Sequence, residues 1–107
     1  MAIINQLQLN GQIVNTPFIR HSPSGIGHAE FLFEHRSVQF ESSVSRQVYC
    51  KIPAVVSGDL YTQHVIQLEK DKCLQLTGFL STRQLRSGAS DLIFYVQFIE
   101  LTKESEK

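Results

Sequence analysis

Apolar and polar residues alternate with a period of two along most of the chain, the pattern of strands with one buried face. The first such run, Gln6 to Ile13, puts Leu7, Leu9 and Ile13 on one side. Gly11 falls on that same side, where an interior glycine marks a bulge or a sharp coil. Pro17 weakens the far end, and Ser22-Pro23-Ser24-Gly25 is predicted to be a turn. A second strand is predicted from Gly27 to Glu41, with Ala29, Phe31 and Phe33 inward and Glu30, Glu34 and Arg36 outward. After the polar Glu41-Ser42-Ser43, a third runs from Val44 to Val56. Its inward set is Val48, Cys50 and Ile52, and its outward set Gln47, Tyr49 and Lys51. The second and third strands therefore pair as a long hairpin with one solvated side.

Ser57-Gly58-Asp59 interrupts the alternation, and Asp59 to Lys70 has no clear period, leaving a helical turn or a long loop. A fourth strand, Lys72 to Arg83, places Leu74, Leu76, Gly78 and Leu80 together. Ser87-Gly88-Ala89-Ser90 is a hairpin-type turn. The fifth strand, Leu92 to Leu101, is apolar on both sides: Leu92, Phe94, Val96 and Phe98 against Ile93, Tyr95, Ile99 and Leu101. Such a strand needs a second apolar surface, and a subunit interface would supply one. Five antiparallel strands with a long connection between the third and fourth predict an all-β, five-stranded OB-fold barrel. An SH3-like barrel, usually with shorter strands, is the alternative. The 107 residues suffice for a single domain, 1–107, with a short polar tail from about residue 102.

Charge alters this picture only in its distribution. Ten Lys/Arg balance ten Asp/Glu, which argues against a strongly basic nucleic-acid protein. From Arg20 to Arg86, however, basic residues outnumber acidic ones, so cations can share a face. Met1 to Asn10 has neither a basic flank nor a long apolar core, and no apolar run approaches a membrane span. A soluble, cytoplasmic protein with no membrane partner is expected, its Cys50 and Cys73 reduced.

Candidate chemistry is sparse. His21, His28, His35 and His64 lack the spacing that brings two metal ligands together, so no metal site is expected. His35, between Glu34 and Arg36, reads as a hydrogen-bonded structural histidine. No nucleophile elbow, phosphate loop or dinucleotide fingerprint occurs, and Gly25-Ile26-Gly27 leads into a strand. Glu30 and Glu34 read as a solvated face, and Cys50 as a buried thiol. Neither an enzyme nor a cofactor is expected.

The outward side of the hairpin is more informative. Arg36, Gln47, Tyr49 and Lys51 lie there, and Val38 and Phe40 continue the same parity. A ring among cations suits single-stranded nucleic acid, since a base stacks on the ring while a cation meets a phosphate. Arg83 and Arg86 border the loop between the fourth and fifth strands, and Arg20 precedes the first loop. Ordinary solvated charges would give the same pattern, so the residues alone reach only a small barrel with a possible ligand face.

Several segments, in this order, resemble the PriB family, dimeric relatives of the bacterial single-stranded DNA-binding proteins. They are Ser22-Pro23-Ser24-Gly25-Ile26, Phe31-Leu32-Phe33-Glu34-His35-Arg36-Ser37, Arg46-Gln47 with Tyr49-Cys50, then Pro53, Ser57-Gly58 and Gly78-Phe79. The resemblance implies an OB-fold homodimer that binds single-stranded DNA. It also implies work with the primosomal helicase, and with other primosomal proteins, at stalled replication forks. By position it implies a DNA surface of Arg20, Arg36, Arg46, Tyr49, Arg83 and Arg86, with Tyr49 as the stacking ring. Lys51 joins that set from strand parity. Family members can carry tryptophan at the position of Tyr49, an aromatic at Val44, and lysines at Gln84 and Asp91. Weaker DNA binding than in a lysine-rich relative is therefore expected. A general single-stranded DNA-binding protein is less favoured, because the sequence ends without an acidic, apolar tip. A protein-interaction module without DNA binding is the third reading.

Overall fold

In the computed structural model, residues 2–102 are described, so most of the expected polar tail lies outside the described residues. Six strands form: β1 (Leu7–Ile13), β2 (Phe18–His21), β3 (Gly27–Glu41), β4 (Val44–Ser57), β5 (Cys73–Gln84) and β6 (Ser90–Leu101). Their order is β1-β5-β6-β4-β3-β2, and β1 also pairs with β3, which closes the sheet into an OB-type barrel. The strand count differs from the expected five because β2, beyond Pro17, pairs with β3 from Phe18↔Glu30 to His21↔Gly27. Nor is the pairing wholly antiparallel. β4 and β6 run parallel and meet at only two positions, Ala54↔Phe94 and Val55↔Tyr95.

The period-two pattern places the core as expected. Ile13, Ala29, Phe31, Phe33, Ala54, Val56, Leu74, Leu76, Phe94 and Val96 are buried together. Burying each large side chain among them contributes roughly 1.5–3 kcal/mol. Gly11 lies where β1 passes from β5 to β3, and a Cβ there would run into the Glu34 carbonyl and the Phe33 ring. The aperiodic stretch after β4 folds into α1 (Gly58–His64) followed by a 3₁₀ turn, Val65–Gln67.

Gly78 makes a second close approach, its missing Cβ leaving room for the Tyr95 carbonyl. The β5–β6 register shifts there, Thr77 facing Phe98 and Gly78 facing Val96, so Gln97 is an extra residue. The bulge reverses the parity beyond it. Phe98 is therefore turned out, at 68% exposure, while Ile99 packs on the core. The second apolar face of β6 is partly filled within the chain: Ile93 is fully buried and Tyr95 stacks on Phe79 at 5.4 Å. Leu92, Phe98 and Leu101 stay exposed.

β3 and β4 pair along their whole lengths, to Glu41↔Val44, and their distal half projects past the barrel as a two-stranded arm. Cys50 shares the parity of the buried Ala54 and Val56, yet it is exposed rather than buried. The reason is that no core lies beneath the arm. Its tip is ordered by a two-residue turn in which Ser42 (φ 53°) and Ser43 (φ 69°) are both left-handed, the geometry that matches strand twist.

Candidate nucleic-acid interface

Alternation along β3 and β4 sends one set of side chains to the outer face, and Arg36 and Tyr49 are direct cross-strand partners in it. The Arg36 guanidinium lies 4.5 Å from the Tyr49 ring centroid, a cation–π contact. Arg36 also meets Glu34 at 3.4 Å, but its side chain remains 70% exposed. Lys51, opposite Glu34, lies on the same face. So does Arg20 of β2, through its pairing with His28 of β3, and both Lys51 and Arg20 are exposed.

His35 anchors the root of this surface from the other side. Its Nδ1 is 2.7 Å from the Asn10 carbonyl oxygen, to which it donates, and its Nε2 is 2.7 Å from Ser37 Oγ. The expected structural histidine thus ties β3 to β1 with both ring nitrogens engaged.

Arg83 is placed differently from the other arginines. Its two terminal nitrogens bind both Glu30 carboxylate oxygens, at 2.9 and 2.7 Å, and Nη2 lies 3.9 Å from Asp91 Oδ2. The hydrogen bonds from Arg83 hold the Glu30 carboxyl below its ordinary value against partial desolvation, helped by the charges of Arg83 and Arg20. Glu30 is therefore a structural partner and not the freely solvated residue expected. Arg46 is on the opposite face of the arm from Tyr49 and pairs with Glu41 at 2.8 Å. Arg86 is exposed in the β5–β6 turn, which Gly88 closes by donating its amide to the Leu85 carbonyl at 3.0 Å.

The structure therefore gathers Arg36, Tyr49 and Lys51, with Arg20 farther along the same face. Arg83 and Arg46 are engaged by carboxylates. Two more exposed rings lie on this face, Phe18 at 65% and Phe40 at 76%. Phe40 was legible from parity, whereas Phe18 was hidden because its strand follows a proline. No group of three or more His, Cys, Asp or Glu gathers into a metal site among the described residues. No helix there is long and apolar enough to cross a membrane.

Comparison with known proteins agrees with this architecture. Residues 5–98 match a family described as "another single-strand binding protein family". The replication restart protein PriB of Pectobacterium carotovorum is 41% identical over 102 residues, spanning 94% of this chain and 95% of its own. That of Serratia proteamaculans is 37% identical over 97 residues, 91% and 92% of the two chains. Among solved structures, PriB from Ralstonia solanacearum superposes with a TM-score of 0.77 at 25% identity, over 94% of this chain and all of its own. The single-stranded DNA-binding protein of Thermus aquaticus shares the fold, with a TM-score of 0.76 at 22% identity, over 94% of this chain and 51% of its own. The chain belongs to this single-strand binding family and, within it, to the PriB proteins.

Proposed function

We propose that the protein is a non-enzymatic, single-stranded DNA-binding accessory factor of replication restart. In this reading it steadies the primosomal helicase on forked DNA and helps bring in the next primosomal protein. The observation that carries it is the Arg36–Tyr49 pair, an exposed ring under a mostly exposed cation on a projecting ribbon. The ring offers a face for a base and the guanidinium edge an oxygen-binding fork for phosphate. Arg20, Lys51 and Arg86 add exposed cations, while Arg46 and Arg83, held in ion pairs, join the proposed set only where their carboxylates release them. A homodimer gives the exposed Phe98 and Leu101 of β6 a cover. The fold and the family are those of binding proteins, and the cell interior is where such a partner set would be met.

A second reading, a primosomal protein-interaction module with little DNA affinity, is favoured by the ion pairs at Arg83 and Arg46 and by the zero net charge. Fluorescence anisotropy with a single strand of about 30 nucleotides, long enough for two OB-type sites, separates the two. Salt-dependent binding that survives a duplex competitor, and that falls in Tyr49→Ala and Arg36→Ala, supports the first. No binding at low salt supports the second.

A further inference from the structure

Phe40 is the most exposed large apolar residue of the arm, and it lies on the same face as Tyr49. Measured along β3, it is four residues beyond Arg36, the direct partner of Tyr49. At a strand rise of about 3.3 Å per residue the two rings are roughly 13 Å apart. That separation is too large for one base to touch both rings. It corresponds to about four nucleotides at the 3.4 Å spacing of a duplex strand, and to fewer in a more extended one.

The surface between the rings is suited to such a strand. Val38, 60% exposed, and Gln47 face each other there, one an apolar contact for base faces and the other an amide that can donate and accept. Beyond Glu34 this face carries no carboxylate, because Glu41, the acid nearest the tip, lies on the opposite side with Arg46. Nor is the arrangement a protein-docking patch of the usual kind. The apolar side chains are interrupted by Gln47 and Ser45, and the depression lined by Arg36, Val38, Gln47 and Tyr49 is open to solvent.

The geometry points to Phe40 as a second base-stacking platform, holding a nucleobase a few nucleotides along from the one on Tyr49. It rests on the single-strand reading above and extends the bound track to the end of the arm. Phe40 neutralises no phosphate, so its contribution is largely independent of salt, unlike that of Arg36.

The test uses the full chain and a (dT)20 strand. Phe40→Ala is expected to weaken binding about fivefold or more, the lower end for loss of one stacked base, with an unchanged salt slope. Phe40→Leu should be impaired as well, since it keeps apolar area but no flat ring, while Phe40→Tyr should retain affinity. The chain has no tryptophan, so Phe40→Trp installs a single indole at the tip whose fluorescence should be quenched as (dT)20 is added. Unchanged affinity in Phe40→Ala or Phe40→Leu, or an unquenched indole in a variant that still binds, overturns the second platform and leaves the parent reading standing. A wild-type protein that does not bind (dT)20 at all overturns both. Circular dichroism guards against misfolding, and Phe40, beyond the barrel core, should leave the melting temperature unaltered.

Discussion

Replacing Glu30 with Gln should release Arg83 to bind phosphate, and the structure sets the size of the effect. Arg83 now spends both terminal nitrogens on Glu30, at 2.9 and 2.7 Å, with Asp91 at 3.9 Å. Each phosphate neutralised on a single strand changes the slope of log K against log salt by about 0.7. If all six cations proposed for the DNA surface met phosphates, the slope would be about −4; without the carboxylate-bound Arg83 and Arg46 it is about −3. Glu30→Gln should steepen the wild-type slope by about 0.7 and raise affinity at low salt. Arg83→Ala in the wild-type background should leave the slope nearly unchanged, whereas Arg36→Ala should flatten it by about 0.7. The pair is partly exposed, so the stability cost of Glu30→Gln is about 1 kcal/mol, and the barrel should persist. Anisotropy titrations at four or more salt concentrations provide the slopes. Glu30→Gln with an unchanged slope, or Arg83→Ala losing as much as Arg36→Ala, would refute the view that Glu30 keeps Arg83 from DNA.

The same ion pair gives stability a pH dependence of known sign. Glu30 is held below its ordinary value of 4.5, so its contribution is full above that pH and lost as pH falls through the lower, folded-state value. The melting-temperature gap between wild type and Glu30→Gln should hold near neutrality and close on acidification below 4.5. At the bulge, Gly78→Ala forces a methyl group against the Tyr95 carbonyl and should cost about 3 kcal/mol in chemical denaturation, the upper end for an overpacked site. At the arm tip, Ser42→Asn with Ser43→Gly suits the left-handed turn. It should stabilise the arm by about 1 kcal/mol, seen as slower amide exchange in β3 and β4 near the turn.

The sequence pattern carried much of the architecture because alternation reports burial directly. The ends of β3 and the start of β4 follow from it, as do Ala29, Phe31, Phe33, Leu74 and Leu76 in the core. Three features escaped for separate reasons. Cys50 has the parity of a core residue, but parity says nothing about whether a core extends that far along a strand. Phe98 was assigned to the side of Val96 because one extra residue, Gln97, resets the alternation without altering composition. The Glu30–Arg83 pair joins residues 53 apart in the chain, and such a pairing depends on strand order, which periodicity does not specify. Arg36 and Tyr49, by contrast, were legible as neighbours once the hairpin was recognised.

The two-position seam between β4 and β6 has a kinetic consequence. β3 with β4, and β5 with β6, are hairpins joined by short turns, so their ladders close small loops and can form early. The parallel seam instead joins residues about 40 positions apart across α1 and the whole of β5, and it wins few hydrogen bonds for that larger loop. Barrel closure is thus a late folding event, and the parts of the barrel to separate first under load are this join and the equally short β1–β3 pairing. A strand of DNA pulling on the arm would draw β3 and β4 away from β6 and β1 as one ribbon, with both hairpins intact.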